Sequence, residues 1–314
     1  MAFLAMSLNR LCCTEEDSEL FSIHDDAGGA WMMDTSELAR PALGRSAPKS
    51  VVGRSLSGDG TITTRATSDG DDWETEVEDG AMYKGQWMDG RRHGNGVLTR
   101  PDGQRYSGQF REGMAHGRGT FVTASGNTYE GQWDMDQAHG HGRYTQADGT
   151  IYEGDWRLDE KEGHGIETWV DGSCYEGQFL CGRKHGEGVY TSGVGTIYEG
   201  HFLYDRMHGE GRYAFSDGRV YTGRWEAGHM HGFGQMEWPD GSVYAGSYEN
   251  DLKSGSGAFR WPDGRCYRGQ WKNGKQHGHG IVTGVDGEAT SGEWFNGERL
   301  PPRSPAFAFS PGRA

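Results

Sequence analysis

The sequence has little proline, few cysteines and no long apolar run. Only 9 of its 314 residues are Pro, and its five Cys residues show no CxxC spacing. This cysteine usage disfavours a zinc ribbon and a disulfide framework and favours a reducing, cytoplasmic compartment. No stretch approaches the roughly 20 apolar residues that span a bilayer. Hydrophobic residues make up 33% of the chain, so we expect no thick, many-layered core.

The charge of the chain is strongly negative and concentrated near its start. The formal net charge is −15, and residues 1–78 contain 15 acidic and 6 basic side chains. A nucleic-acid partner is disfavoured because neutralising phosphates requires a basic face. We predict that residues 1–78 form an acidic, largely disordered segment. Residues 300–314 contain four prolines and are predicted to be a disordered tail, since proline cannot continue a sheet.

What the sequence does contain is a strict repeat. A tyrosine followed two residues later by glycine recurs every 23 residues, at Tyr83, Tyr106, Tyr129, Tyr152, Tyr175, Tyr198, Tyr221, Tyr244 and Tyr267. A fixed period of this length indicates units that bury their apolar faces only by stacking on their neighbours. Residues 79–299 are therefore predicted to be one repeat domain with nine full units and a partial tenth.

Each unit has the pattern of a β-hairpin. Side chains alternate across a strand, so Tyr83, Gly85 and Trp87 share one face, as do Gly94, Gly96 and Leu98 in the second strand. We expect aromatic rings to lie over Gly85, Gly94 and Gly96. Asp-Gly pairs, such as Asp102-Gly103, predict tight turns. The predicted fold class is all-β: an elongated, single-layer antiparallel ribbon of tandem hairpins.

The unit resembles a known family. The first copy reads Tyr83-x-Gly85-x-Trp87-x-x-Gly90-x-x-His93-Gly94-x-Gly96, followed by Asp102-Gly103. This pattern is similar to the MORN (membrane occupation and recognition nexus) repeat, and Gly292, Trp294 and Gly297 resemble a truncated tenth copy. The resemblance implies a scaffold used at cytoskeletal sites, including the cilium or flagellum, or at membrane-associated sites.

The main functional hypothesis is a non-enzymatic scaffold that binds protein partners along an aromatic sheet face. A single-layer ribbon cannot cover both of its faces, and exposed aromatic patches usually mark interaction sites. The predicted protein-binding residues are Tyr144, Tyr190, Tyr213 and Phe259, together with Trp169, Trp238 and Trp261 before the second turn. The final hairpin leaves an unpaired edge, which predicts self-association.

Two alternatives remain open: an adaptor that binds phosphoinositide or anionic lipid, and a regulatory subunit of a separate enzyme. The lipid hypothesis depends on basic residues at two equivalent positions of the first turn, namely Arg91, Arg92, Lys161, Arg183, Lys184, Arg206, Lys253 and Lys275. Acidic residues intersperse this row and weaken its attraction to lipid. S-acylation of Cys12 and Cys13 would supply a two-chain anchor.

The sequence offers no catalytic, cofactor or metal motif. Seven units carry a His before Gly-x-Gly, namely His93, His116, His139, His185, His208, His231 and His277. Equivalent positions in successive hairpins lie about 9.5 Å apart, too far to share one Zn²⁺. We expect these histidines to make structural hydrogen bonds, with a pH response and metal binding as the other interpretations. A catalytic site needs a nucleophile, a base and an orienting group in an arrangement that occurs once, and no such set stands out from the repeats.

Overall fold

A computed structural model describes residues 74–301 of the chain. Its strands, numbered in chain order, are β1 (Thr75–Glu76), β2 (Met82–Met88), β3 (Arg91–Thr99), β4 (Arg105–Arg111), β5 (Met114–Val122), β6 (Thr128–Asp134), β7 (Gln137–Thr145), β8 (Ile151–Arg157), β9 (Glu160–Thr168), β10 (Cys174–Leu180), β11 (Arg183–Thr191), β12 (Ile197–Leu203), β13 (Arg206–Ala214), β14 (Val220–Glu226), β15 (His229–Glu237), β16 (Val243–Glu249), β17 (Leu252–Arg260), β18 (Cys266–Lys272), β19 (Lys275–Thr283), β20 (Ala289–Phe295) and β21 (Glu298–Arg299). A single 3-10 turn occupies Glu78–Gly80.

The described residues divide into two compact units. Unit 1 comprises residues 74–147, Tyr152–Gly163 and Phe179–Gly182, and unit 2 comprises Asp148–Ile151, His164–Gln178 and residues 183–301. Within unit 1, strands β2 to β7 pair antiparallel with their chain neighbours. Strands β11 to β20 do the same within unit 2. The predicted fold class, an all-β antiparallel sheet of tandem hairpins, is confirmed.

The first turn of each hairpin is a two-residue loop with both residues in the left-handed region. In the first hairpin Asp89 has φ 50° and Gly90 has φ 72°, which is the type I′ geometry that matches the twist of the flanking strands. Asp205 stands in the place of Gly90 and has φ 69°. Aspartate tolerates this region better than most residues, as the sequence predicted.

The second turn connects one hairpin to the next. The amide of Gly103 donates a hydrogen bond to the carbonyl of Arg100 at 3.0 Å, and Gly103 has φ 92°. A type I turn followed by a left-handed residue explains the order Pro101-Asp102-Gly103, because proline suits the second turn position and glycine the fourth. The Asp102 carboxylate also accepts the amide of Gln104 at 2.9 Å.

Each repeat tyrosine packs over a pair of glycines. Gly85 and Gly96 face each other across the hairpin, and the ring of Tyr83 lies so close to both that a Cβ on either would overlap it. The Tyr83 hydroxyl donates to the carbonyl of Gln86 at 2.8 Å. Burial raises the pKa of Tyr83 to about 12, so the phenol stays protonated as a donor. The expectation of rings over Gly85 and Gly96 is confirmed.

The buried tyrosines link the repeats through a series of edge-to-face ring contacts. Tyr106 meets Phe110 of its own repeat at 5.0 Å between centroids and Trp133 of the next repeat at 5.3 Å. Contacts of this kind contribute about 0.5–1.5 kcal/mol each beyond their buried area. In unit 1 the series also includes Tyr83, Trp87, Tyr129, Trp156, Tyr152 and Phe179. In unit 2 it comprises Tyr175, Phe202, Tyr198, Trp225, Tyr221, Tyr248, Tyr244, Trp271, Tyr267 and Trp294.

The expectation that an aromatic ring lies over Gly94 is wrong. Gly94 has φ 60° and lies in a β-bulge, where the register shifts between Gly85 and Trp87. The side chain beside Gly94 is Gln86, whose Oε1 accepts the amide of Asn95 at 2.9 Å. Gly94 adopts the left-handed backbone conformation of the bulge. The side-chain oxygen of Gln86 accepts the Asn95 N–H.

The predicted boundaries of the terminal segments need one correction. Thr75–Glu76 pairs with β2, so the last residues of the predicted disordered segment 1–78 are part of the sheet. Residues 1–73 and 302–314, which include the rest of both predicted terminal segments, lie outside the described residues. At the other end, Trp294 of the partial repeat is buried, and β21 pairs only with the last two residues of β20.

The packing of tyrosine on glycine predicts a position-specific loss of stability. Gly211 faces Gly200 and lies under the ring of Tyr198. We expect Gly211→Ala to lower the free energy of unfolding by about 1–3 kcal/mol, because overpacking forces the ring to move. Urea denaturation followed by tryptophan fluorescence measures this change. Glu210→Ala, one residue away and exposed, is the control, and an equal loss in both variants would contradict the packing argument.

Candidate functional site

The ring-bearing face of unit 2 carries a second, partly exposed set of aromatic side chains beside the buried tyrosines. Its members are half-buried and occupy two positions in each repeat, one in the second strand and one just after it. We call this set the unit 2 ring surface: Trp169, Tyr190, Tyr213, Phe215, Trp238, Phe259 and Trp261.

The rings of this surface contact one another in pairs. The centroids of Tyr213 and Phe215 lie 4.5 Å apart, and those of Trp169 and Tyr190 lie 6.3 Å apart. Phe259 lies between Trp261 at 5.0 Å and Trp238 at 5.5 Å. Six of the seven side chains predicted to bind protein are thus brought together in pairs or threes on one face of unit 2.

Tyr144, the seventh predicted binding residue, is not part of an exposed surface. It lies in unit 1, is only 5% exposed, and packs against Trp156 at 6.1 Å. Leu98 and Phe121, which hold the same repeat position, are buried too. The expectation of a partly exposed ring at Tyr144 is therefore corrected.

Phe215 belongs to the unit 2 ring surface although the sequence analysis did not select it. It holds the same repeat position as Trp169, Trp238 and Trp261. Its ring also lies 4.5 Å below the guanidinium carbon of Arg219. The 23-residue period therefore identifies Phe215 when every aromatic residue at this position, and not only tryptophan, is considered.

The basic turn row does not form one surface. Arg91, Arg183, Arg206 and Lys275 are exposed. Arg92, Lys161, Lys184 and Lys253 instead extend over the ring-bearing face, where each cation lies within 6 Å of at least one ring centroid. The reason is the register, because residue 92 faces Trp87 across the hairpin. Assigning these four side chains to a lipid-facing row is therefore wrong.

Two of these cations have partners within unit 1. The guanidinium of Arg92 donates from Nε and Nη2 to the carbonyl of Gly113 at 3.1 and 2.8 Å. The ammonium of Lys161 lies 4.8 Å from the Tyr152 centroid and 5.7 Å from that of Phe179. Cation–π contacts of desolvated groups contribute about 2 kcal/mol, so these cations help to cover the rings.

Lys253 of unit 2 has the most aromatic surroundings of the four cations. Its Nζ lies 4.6 Å from the ring centroid of Trp238 and 4.9 Å from that of Phe259. The centroids of Tyr244 and Trp271 are 5.1 and 5.2 Å away. Burial lowers the pKa of the Lys253 ammonium from 10.5 to about 8, because low-dielectric surroundings disfavour the charged form.

An aspartate in the first turn clamps some adjacent repeats together. The amide of Asp205 donates to the carbonyl of Lys184 at 2.9 Å, and the Asp205 carboxylate accepts the amide of Lys184 at 2.9 Å. The same carboxylate lies 3.9 Å from the Lys184 ammonium. At the position that would clamp Lys253 the residue is Gly274, which keeps only the backbone bond to the Lys253 carbonyl.

The repeat histidines do not all make the hydrogen bonds expected of them. The Nδ1 atoms of His93, His185 and His277 are buried and have no hydrogen-bond partner within residues 74–301. His116 does pair with Asp134, at 3.3 Å between Nδ1 and Oδ1. Within the described part of the chain no group of three or more metal-ligating side chains is present.

The cysteines and the membrane question complete the inventory of predicted sites. Cys174, Cys181 and Cys266 are half-buried and form no disulfide within residues 74–301. Cys12 and Cys13, the predicted acylation sites, lie outside the described residues. Across residues 74–301 no helix has the length and apolarity needed to cross a bilayer.

Comparison with known proteins identifies the repeat. The MORN repeat matches nine consecutive segments, at residues 83–105, 106–128, 129–151, 152–174, 175–197, 198–218, 221–243, 244–264 and 267–289. The chain belongs to the MORN-repeat family. All nine predicted MORN repeat starts coincide with these segments, so the resemblance inferred from the sequence is confirmed. No curated protein matches the chain as a whole.

Solved structures show only a distant likeness to this MORN-repeat chain. The wild-type TCP10 domain of Danio rerio CPAP matches with a TM-score of 0.36 and 12% identity, covering 71% of this chain and all of the domain. The SAS-4 (dCPAP) TCP domain of Drosophila melanogaster, in complex with a proline-rich motif of Ana2, matches with a TM-score of 0.31 and 12% identity, covering 55% of this chain and 86% of that one. TM-scores this low establish neither a shared fold nor a shared partner.

The surroundings of Lys253 predict an unusual dependence of stability on pH. The folded state binds the Lys253 proton with a pKa of about 8 and the unfolded state with a pKa near 10.4. Between pH 8 and pH 10.4 the unfolded state binds more protons at this lysine than the folded state does. The contribution of Lys253 to the free energy of unfolding therefore rises with pH. We therefore expect Lys253→Met, introduced into residues 74–301, to raise the free energy of unfolding at pH 7. This gain should shrink as the pH rises from 8 to 10.5.

Thermal denaturation of wild type and variant at matched pH values measures this difference, in which the titration of all other groups cancels. Met207 and Met230 hold the same position in the MORN repeats just before, so methionine fits the site. Gln276→Met, at the equivalent position of the next repeat, is the control and should show no such pH dependence. A constant effect of Lys253→Met across this range would contradict the prediction.

Proposed function

We propose that this MORN-repeat protein is a non-enzymatic scaffold that binds protein partners along the ring-bearing face of unit 2. The observation that carries the proposal is the half-burial of Trp169, Tyr190, Tyr213, Trp238 and Phe259, beside tyrosines that are fully buried. Large rings that are fixed by packing but still reachable lose little entropy on binding. Such residues dominate the energetics of protein interfaces.

The ring surface is distinguished from the rest of unit 2 by chemistry as well as exposure. On the opposite face the exposed apolar residues, such as Val189 and Phe233, alternate with charged and polar ones such as Glu187 and Gln235. Single exposed hydrophobic residues are ordinary surface, whereas contiguous aromatic patches indicate interaction. The ring-bearing face is therefore the better candidate for a partner.

The non-enzymatic part of the proposal is supported by the repetition itself. Polar groups next to the rings recur at equivalent positions, as Asp136, Asp159, Asp205 and Asp251 do in the first turn. Each of them accepts a backbone amide of the preceding repeat. A catalytic constellation is unique within its protein, and a recurring structural clamp accounts for these carboxylates without chemistry.

The family resemblance and the charge support a proposal for partners and location. We propose a cytoplasmic protein whose partners belong to cytoskeletal structures, cilium and flagellum included, or to membrane-associated ones. The net charge of −15 gives no support for nucleic acid. Self-association through the outer edge of β20 and a role as the regulatory subunit of a separate enzyme are compatible with the same scaffold.

One observation favours anionic lipid as a second candidate ligand. Arg183, Arg206 and Lys275 of unit 2 are exposed near the first turns. Unlike the cations that lie over the rings, they can contact a lipid surface. Basic residues near an anionic surface contribute about 1 kcal/mol each. Asp205 lies in the turn directly before Arg206 and reduces that attraction.

Mutation of the ring surface tests the protein-binding proposal. We expect Tyr190→Ser combined with Tyr213→Ser in the full chain to abolish or strongly reduce the capture of partners, because it removes two accessible rings. Quantitative mass spectrometry of captured proteins is the measurement, and circular dichroism establishes that the variant is folded. The control combines Val189→Ser with Arg212→Ser, the adjacent residues on the opposite face. Equal recovery with both folded variants would reject the ring surface as the binding site.

Sedimentation with phosphatidylcholine vesicles, with and without phosphatidylinositol phosphate, tests the lipid candidate. If lipid is a ligand, we expect the full chain to co-sediment only with the anionic vesicles. Replacing Arg183, Arg206 and Lys275 by Ser should then abolish co-sedimentation, since these exposed cations make the contact. Absence of co-sedimentation, or binding that the triple variant retains, rejects these residues as a lipid site.

A further inference from the structure

Lys253 is a half-buried cation without an anionic partner among the residues that the structure describes. Desolvation is the sole cause of its lowered pKa, and no carboxylate within residues 74–301 forms an ion pair with it. Lys184, at the same position of another repeat, has the Asp205 carboxylate 3.9 Å away. The difference arises because Gly274 replaces the aspartate in the turn next to Lys253.

The place that this missing carboxylate would occupy is open. A Cβ added to Gly274 would meet only the Cδ2 atom of Leu252, at 3.9 Å. Gly274 has φ 77°, close to the φ of 69° at Asp205, so the backbone conformation suits either residue. The space beside Gly274 that an aspartate side chain would enter is therefore free of other atoms of residues 74–301 within 3.9 Å of that Cβ.

The chemistry around Lys253 defines what would bind there. A carboxylate would offset the desolvation of the ammonium, which a neutral ligand cannot do. The half-buried rings of Trp238 and Phe259, 4.6 and 4.9 Å from Nζ, favour apolar side chains beside that carboxylate. The preferred ligand is thus a peptide with an acidic side chain followed closely by large apolar ones.

The chain itself contains such a peptide outside the described residues. The sequence from Glu15 to Ile23 reads Glu-Glu-Asp-Ser-Glu-Leu-Phe-Ser-Ile. In an extended conformation Glu19, Phe21 and Ile23 would share one side, which presents one carboxylate and two apolar groups in a row. The stretch beyond Pro301 contains no acidic side chain and two arginines, Arg303 and Arg313, so it is the wrong charge for this site.

We propose that residues 15–23 dock on Lys253 and the adjacent rings of unit 2, with a carboxylate of the segment paired to the ammonium. About 50 residues separate the segment from Glu74 and span at most roughly 165 Å when extended, so chain length does not restrict it to the first repeats. The docked segment covers Trp238 and Phe259, two rings of the proposed partner surface. The docking does not depend on the proposed scaffold function, although a partner bound to Trp238 and Phe259 would compete with it.

Zero-length crosslinking of the full chain tests the docking. A water-soluble carbodiimide joins an amine to a carboxylate only when the two are in contact, and mass spectrometry of the digest identifies the pair. We expect amide crosslinks between Lys253 and the acidic residues at positions 15–19. Gln replacement of Glu15, Glu16, Asp17 and Glu19 should abolish them and leave the fold unchanged, since these residues lie outside the repeats.

A matched pair of substitutions separates docking from accidental proximity. Gly274→Asp supplies Lys253 with an internal carboxylate, as Asp205 does for Lys184. We expect it to lower the yield of the crosslink to residues 15–19 by about tenfold, which corresponds to about 1.4 kcal/mol. Gly297→Asp makes the same change in charge one repeat later, where Gln276 stands in place of a cation. It should leave the crosslink at the wild-type level.

Three outcomes would overturn the proposal. The first is that Lys253 is joined only to carboxylates of neighbouring repeats or of another protein, and the second is that Lys253 stays uncoupled while Lys275 reacts. Equal crosslinking in the Gly274→Asp and Gly297→Asp chains would show that an anionic vacancy beside Lys253 does not govern the contact. None of these readouts requires an external partner, so a failure here leaves the scaffold proposal to its own test.

Discussion

The packing of a tyrosine ring over two facing glycines is the contact on which the rest of this structure depends. A sheet with so few aliphatic residues has no second layer to cover its backbone, so the ring serves as that layer. Tyr198 illustrates the arrangement: it is fully buried over Gly200 and Gly211, and its hydroxyl donates to the carbonyl of His201 at 2.9 Å. The glycines cost backbone entropy, which ring burial and the hydrogen bond offset.

This contact also explains why the period tolerates no insertion. Each tyrosine ring is held on one side by an aromatic residue of its own repeat and on the other by that of the next, as Tyr221 is by Trp225 and Tyr248. An extra residue in one strand would move its side chains to the opposite face and break the series of rings at that point. The strict spacing is thus a packing requirement, and it allowed the fold to be predicted from the sequence.

The sequence allowed the hairpins, both turn types and the tyrosine–glycine packing to be predicted, because each depends on contacts within about 20 residues. It did not reveal the bulge at Gly94, since a bulge adds residues to one strand without any change in composition. The cations at Arg92 and Lys253 were assigned to an edge because they were treated as turn residues, although alternation along the second strand puts Arg92 on the face of Gly96 and Leu98. Their pairing with Trp87 and Tyr248 places them on the ring-bearing face.

Exposure was the other property that the sequence could not supply. Tyr144 and Tyr190 occupy the same repeat position, yet one lies beneath Trp156 and the other pairs with Trp169 at the half-exposed surface. Contact with the tryptophan of the next repeat does not decide the exposure by itself, since Tyr213 contacts Trp225 at 5.7 Å and is still half-buried. The exposure of this ring therefore cannot be assigned from the motif position alone. The positions shared by all repeats account for the fold. Specificity must then come from positions where repeats differ, and Gly274 is such a position, because it leaves Lys253 without the carboxylate that Asp205 supplies to Lys184.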